Sequence, residues 1–314
     1  MTMKHLGPEQ ARSATLLLRT YRSEADDRVG SRCDVVGSMI GMKIRSDQVL
    51  PRPCLTYFVR EKAPMEDIAP RQRIPARMRL GGQMIPTDVL VWPRMELHSL
   101  AQGRFIRDGF TQGTLTAFAR SPYGLWGLSC GHCMLGPDQK PYTSTDVMMH
   151  DANLRQFISA GTTAQTLFSA GGPQIGGTRG YLDCGIFSLH EDSLRKRAEE
   201  APELRTADLQ SLAYQQLTGV SVMAVEGQVG GPRLATVIGI DKYGIDDFCD
   251  VVLRAESPGM THGDSGMLWL TQDGLAAAIH CRGEVVNKKS GSRLITAMSA
   301  QRAAEVLGVT LRMA

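Results

Sequence analysis

The 314-residue chain predicts a mainly β fold, with a helix near its start and a small α+β module ahead of most of the strands. Three observations predict it. Short β-type runs recur between Gly- and Pro-containing turns along most of the sequence, and helix-compatible spacing is confined to a few stretches. Three short motifs then carry a histidine (His132), an aspartate (Asp183) and a serine (Ser265), separated by 51 and 82 residues. Those spacings leave room for one small antiparallel barrel around the first two residues and a second around the third.

Residues from about 8 to 27 carry the first helix. Leu17, Leu18 and Tyr21 share one side, whereas Arg19, Arg22, Glu24 and Asp26 lie largely elsewhere, which reads as a docking or capping helix. The runs Val35 to Ile44, Cys54 to Val59 and Asp88 to Trp92 form the α+β module. Strands at Gly113 to Phe118, Leu125 to Leu128 and around Asp183 build the first barrel. Residues 190 to 209 are rich in Glu, Arg, Lys and Ala and read as an exposed helical connector. Strands resume at Val220 to Val225, Ala235 to Ile240, Val251 to Arg254, Met267 to Leu270 and Leu275 to His280, and a helix over Ala297 to Leu307 follows. The expected organisation is an N-terminal helix over 1–33, an accessory domain over 34–95, a first barrel with connector over 96–204, and a second barrel with the last helix over 205–314.

Composition narrows the function classes. The formal net charge is only +3, and the few aromatics are not interleaved with a basic stripe, so no nucleic-acid partner is expected. Lys288, Lys289 and Arg293 read as a solvated loop. No segment approaches the roughly 20 apolar residues of a membrane span. Seven cysteines cannot all pair internally, and most sit in apolar strand-like runs where a reduced thiol acts as a small hydrophobe. The apolar run Ala14 to Leu18 is too short for the core of a signal peptide. A cytoplasmic protein is expected.

The motifs carry the chemistry. A serine hydroxyl is a weak nucleophile unless a base takes its proton, and that base needs a third group to orient it. Leu128-Ser129-Cys130-Gly131-His132-Cys133 supplies the base, Gly180-Tyr181-Leu182-Asp183-Cys184-Gly185-Ile186-Phe187 the acid, and Gly263-Asp264-Ser265-Gly266 the nucleophile. Asp183 lies in an apolar run, where its charge demands a partner such as a buried imidazole. The backbone N–H groups of Gly263 and Ser265 are the expected oxyanion donors. Cys130 and Cys133 flank His132 at metal-like spacing, but zinc would need a fourth ligand and usually a second such pair, so neither metal nor cofactor is expected. The glycine-rich Gly171 to Gly177 lacks the ending of a P-loop and reads as a loop.

On these motifs the chain resembles the trypsin-like (chymotrypsin-fold) serine peptidases, whose catalytic residues run in the order His, Asp, Ser. More narrowly it resembles the intracellular group related to the plant NARROW LEAF 1 protease and its bacterial relatives. The stretches Val36-Gly37-Ser38-Met39-Ile40-Gly41-Met42-Lys43, Cys54 to Lys62, Ile85-Pro86-Thr87-Asp88-Val89 and Gly113-Thr114-Leu115 carry that resemblance. It implies a chymotrypsin-like double β-barrel behind a small accessory domain, and a protein or peptide substrate. It also implies a primary pocket near Gly259, His262, His280 and Gly283, with no acidic residue placed to recognise Arg or Lys. Val35-Val36-Gly37 superficially echoes an activation sequence but reads as an accessory strand. The expected activity is limited proteolysis, with residues 1–95 available to a regulatory partner. A serine esterase, a self-processing peptidase and a silent binding module are the alternatives.

Overall fold

The computed structural model describes residues 7–30, 34–46, 48–97, 105–106, 113–135, 146–151, 156–169, 182–209, 216–220, 233–244, 248–256, 259–260, 263–284 and 293–314. The fold is mainly β, with an N-terminal helix. It divides into two compact units, the first being Met1–Arg94 with Leu209–Gln215 and Val237–Val252.

In the first unit helix α1 (Pro8–Gly30) buries Ala11, Thr15, Leu18, Arg22, Ala25 and Val29. Their alternating spacing of four and three is one helical stripe, and it packs on β1 (Val35–Arg45), β2 (Gln48–Val59) and β3 (Arg77–Leu80). Leu17, expected on the inward side, is instead 40% exposed. Strands β1 and β2 form an antiparallel hairpin, and β2 pairs in parallel with β4 (Gln83–Val91), which in turn pairs antiparallel with β3. The core of this unit includes Met39, Ile40, Leu55, Tyr57 and Phe58, with the Trp92 ring 4.5 Å from that of Phe58.

The buried Arg22 fixes the helix. Its guanidinium donates to the carbonyl oxygens of Asp241 (2.6 Å) and Ser38 (2.8 Å) and lies 4.0 Å from the Tyr243 ring centre. Arg19 adds hydrogen bonds of 2.6 and 2.9 Å to the Asp241 carboxylate.

The second unit contains Met95–Asp208, Gln216–Thr236 and Leu253–Ala314. Its strands begin with β5 (Met95–Leu97), β6 (Phe105–Ile106), β7 (Ala117–Ser121), β8 (Gly124–Ser129), β9 (Asp146–Asp151), β10 (Gln156–Ser169) and β11 (Leu182–Ser188). After α2 (Asp192–Glu200) come β12 (Gln216–Val220), β13 (Arg233–Gly244) and β14 (Cys249–Ala255), the last two divided between the units. Then follow β15 (Leu268–Thr271), β16 (Ala276–Glu284), β17 (Leu294–Ser299), α3 (Ala300–Leu307) and β18 (Thr310–Arg312). A seven-stranded sheet has the order β18-β7-β8-β11-β10-β9-β6. A second group runs β12-β15-β16-β17, with β5 paired to β16.

Several elements differ from expectation. The segment Gly113 to Thr116 is not a strand, because its polar groups are taken up by the turn around Ser265. Only Asp192–Glu200 of the 190–209 connector is helical, and Thr206 bridges to Ala276. The last helix starts at Ala300, since Ser299 caps it by accepting from the Arg302 N–H at 3.3 Å, while Ala297 belongs to β17. Residues Gly171 to Gly180, Ser221 to Val225 and Lys288 to Lys289 lie outside the described residues.

Candidate active site

The His132 motif occupies the end of a strand. After β8 ends at Ser129, a short 3-10 turn (Gly131–Met134) carries His132. Strand β8 pairs antiparallel with β11, Ser129 facing Gly185, so Asp183, two residues earlier on β11, comes level with that turn. The register explains why the two motifs meet. Asp183 is fully buried, and both its oxygens serve one residue: Oδ1 accepts the His132 backbone N–H at 2.8 Å, and Oδ2 lies 2.6 Å from His132 Nδ1. Those two bonds satisfy a carboxylate that burial alone would penalise heavily.

The other imidazole nitrogen, Nε2, lies 2.8 Å from Ser265 Oγ. Ser265 sits in a turn closed by a 2.9 Å bond from the Met267 N–H to the Asp264 carbonyl. Gly263 and Gly266 adopt φ values of 94° and 91° there. A side chain at 266 would be strained by that φ and would place Cβ 2.2 Å from the Thr114 carbonyl oxygen. Glycine is therefore required by both backbone and space. The Ser265 hydroxyl has a second acceptor, the Cys281 carbonyl oxygen at 3.2 Å.

A buried clamp holds this turn from the side. The Thr114 N–H donates to the Ser265 carbonyl at 2.6 Å, Thr114 Oγ1 to the Gly263 carbonyl at 2.9 Å, and Thr116 Oγ1 to the Gly266 carbonyl at 2.6 Å. Ser129 Oγ donates in turn to the Thr114 carbonyl at 2.7 Å. Sequence reasoning missed Thr114, Thr116 and Ser129. The signal was the Thr-x-Thr alternation, which sets two hydroxyls on one side of an extended segment.

Electrostatics couple His132 to its neighbours. Burial disfavours the imidazolium, but the Asp183 carboxylate and the Cys133 sulfur outweigh it and hold the His132 pKa well above its ordinary value. Burial likewise opposes ionisation of Cys133, yet a hydrogen bond from Cys130 and the charge of His132 bring its thiol down to about 6. Burial drives the Cys130 thiol up.

The expected pocket residues are only partly visible. Gly259, His280 and Gly283 are buried. The His280 backbone pairs with the nucleophile turn, accepting from the Gly266 N–H and donating to the Met267 carbonyl at 2.9 Å each. Its ring centre lies 6.4 Å from that of Trp269. His262 lies outside the described residues. Cys130, His132 and Asp183 offer atoms within 4.8 Å of one another that could ligate a metal. Asp183, however, already gives both oxygens to His132, so an ion there would displace the hydrogen bonds that compensate its charge.

The chain can be set beside known proteins. No protein-family model matches it, and neither does any curated protein. Among solved structures it is similar to protease A of Thermobifida fusca, with 14% identity, a TM-score of 0.43, and coverage of 68% of this chain and 97% of that one. A glutamic acid-specific serine protease that uses a histidine triad in substrate binding matches with 14% identity, a TM-score of 0.43, and coverage of 67% and 97%. The HtrA-type protease AlgW with a decapeptide matches with 13% identity, a TM-score of 0.37, and coverage of 91% of this chain and 66% of that one.

Proposed function

We propose that the protein is a serine endopeptidase performing limited proteolysis through His132, Asp183 and Ser265, on a chymotrypsin-like double β-barrel akin to the NARROW LEAF 1-like group. The observation that carries this reading is the unbroken set of hydrogen bonds from Asp183 through both imidazole nitrogens to Ser265 Oγ. In the reaction Ser265 Oγ attacks a peptide carbonyl carbon while His132 Nε2 takes its proton. His132 then delivers that proton to the departing amine, and water repeats the cycle on the acyl-enzyme. Asp183 fixes the Nδ1–H tautomer and stabilises the imidazolium. The N–H groups of Gly263 and Ser265 stabilise the oxyanion, a contribution of about 3 to 4 kcal/mol per donor. Protein substrates, a cytoplasmic setting and regulatory access through residues 1–95 belong to the same reading.

The test is labelling by a fluorophosphonate, with the adduct mapped by mass spectrometry. Stoichiometric labelling at Ser265 that disappears in His132→Ala is expected. A folded protein that resists the probe under all conditions would favour a silent binding module, and intact-mass comparison with Ser265→Ala separates self-processing from turnover in trans.

A further inference from the structure

Strand β16 has two edges, and both are in use. Along one of them β17 pairs with it from Ala278 to Gly283. The other edge is shared by three segments in succession. β15 covers Ala276 to Ile279, the nucleophile turn meets His280 and Cys281, and β5 pairs antiparallel with Arg282, Gly283 and Glu284. The middle segment carries the chemistry. His280 gives its N–H to the Met267 carbonyl and takes the Gly266 N–H on its own carbonyl, and the next carbonyl, that of Cys281, accepts from Ser265 Oγ at 3.2 Å.

The register of β5 fixes its bearing on the nucleophile. Met95 lies opposite Glu284, Glu96 opposite Gly283 and Leu97 opposite Arg282, so the strand runs toward Cys281. Its last paired residue stops one register position short of Cys281, about 3.3 Å along the strand. An extended polypeptide that reaches Ser265 from this side needs partners for its own backbone N–H and C=O groups, and the row at Arg282–Glu284 is where the sheet offers them. That row is already taken by the chain itself.

We propose that β5 is an inhibitory strand supplied in cis: Met95–Leu97 occupies the sheet edge on which an extended polypeptide substrate pairs, and the substrate reaches Ser265 by displacing it. The competition has a built-in selectivity. A three-residue strand makes few ladder bonds, and its hold on the edge comes largely from its tether to the rest of the chain. A substrate wins by pairing over a longer run, which unfolded segments provide and the closed surface of a folded domain does not. The effect on turnover rests on the hydrolase reading, whereas occupancy of the edge and its exchange do not.

The experiment uses the full chain and fluorescein-labelled casein, an unfolded protein, as the probe. The double variant Glu96→Pro with Leu97→Pro removes whichever of the two N–H groups serves the ladder, since successive residues of an antiparallel strand alternate in facing their partner. Casein hydrolysis is expected to rise about fivefold over wild type. Fluorophosphonate labelling of Ser265 should stay unchanged, because so small a probe does not need the edge, and a peptide amide with the sequence Trp92 to Leu97 should lower the variant's hydrolysis again. Hydrogen exchange reads occupancy without turnover. In Ser265→Ala, saturating casein should speed exchange at Met95–Leu97 and leave Arg282–Glu284 protected. Unchanged exchange at Met95–Leu97, or casein cleaved at the same rate by wild type and double variant, overturns the proposal. Scission of the chain just after Leu97 that depends on Ser265 also overturns it, because β5 is then a substrate. If casein displaces β5 but neither protein cleaves it, the hydrolase reading fails and the occupied edge stands.

Discussion

His132 commits its backbone N–H and both ring nitrogens to two side chains, so each partner can be removed and the loss read separately. Asp183→Asn would present an amide where the imidazole needs a carboxylate, and labelling of Ser265 should slow by about 10⁴-fold, measured as a second-order rate. Thr116→Val makes a different demand, since it removes the buried donor to the Gly266 carbonyl. A loss of about 1–3 kcal/mol in denaturant unfolding is expected, with slower labelling as the turn loosens. That His132 lies within hydrogen-bond distance of both Asp183 and Ser265 was legible because motif patterns are local and each residue type is unusual in its setting. Thr114 and Thr116 were not, because their acceptors lie some 150 residues away and the Thr-x-Thr alternation alone does not say what the two hydroxyls hold.

At the scale of elements, α1 shows how a polar residue can anchor a helix. Arg22 donates to the carbonyl oxygens of Asp241 and Ser38, bonds that a methionine cannot make. Arg22→Met should therefore lower stability by about 1.5–3 kcal/mol in urea unfolding, despite its good helix propensity. The helix and the strands β1 and β2 were legible from periodicity and β-branched content. Strand β10 was not. Its sequence, Gln156–Ser169, mixes Gly, Thr, Ala and Ser with few large apolar residues, and its pairing with β9 and β11 comes from tertiary context. The start of α3 was misplaced by three residues because Ala297 suits either structure, whereas the Ser299 cap decides it.

For the whole molecule, His132 links protonation to folding. Its folded pKa is raised, so its contribution to stability is fully present below the unfolded value near 6.5 and is lost as pH rises through the folded pKa. The stability gap between wild type and His132→Ala should accordingly narrow as pH increases above 6.5, as read by denaturant midpoints. The first unit is drawn from three stretches of sequence, because Leu209–Gln215 and Val237–Val252 join Met1–Arg94. Removing residues 1–94 should leave the β1-facing edge of Val237–Val252 unpaired. The truncated chain is expected to lose cooperative unfolding and to exchange its amide hydrogens rapidly there.

Strand β18 bears on how the protein is made. It pairs with β7 through Thr310, Leu311 and Arg312, and β7 pairs next with β8, the strand that leads into the His132 turn. During translation β7 emerges roughly 190 residues before its outer neighbour. Throughout that interval its free edge is open to any strand of another nascent chain on the same polysome. Ribosomes paused upstream of Thr310 would therefore display a half-finished sheet whose outer edge nothing yet covers.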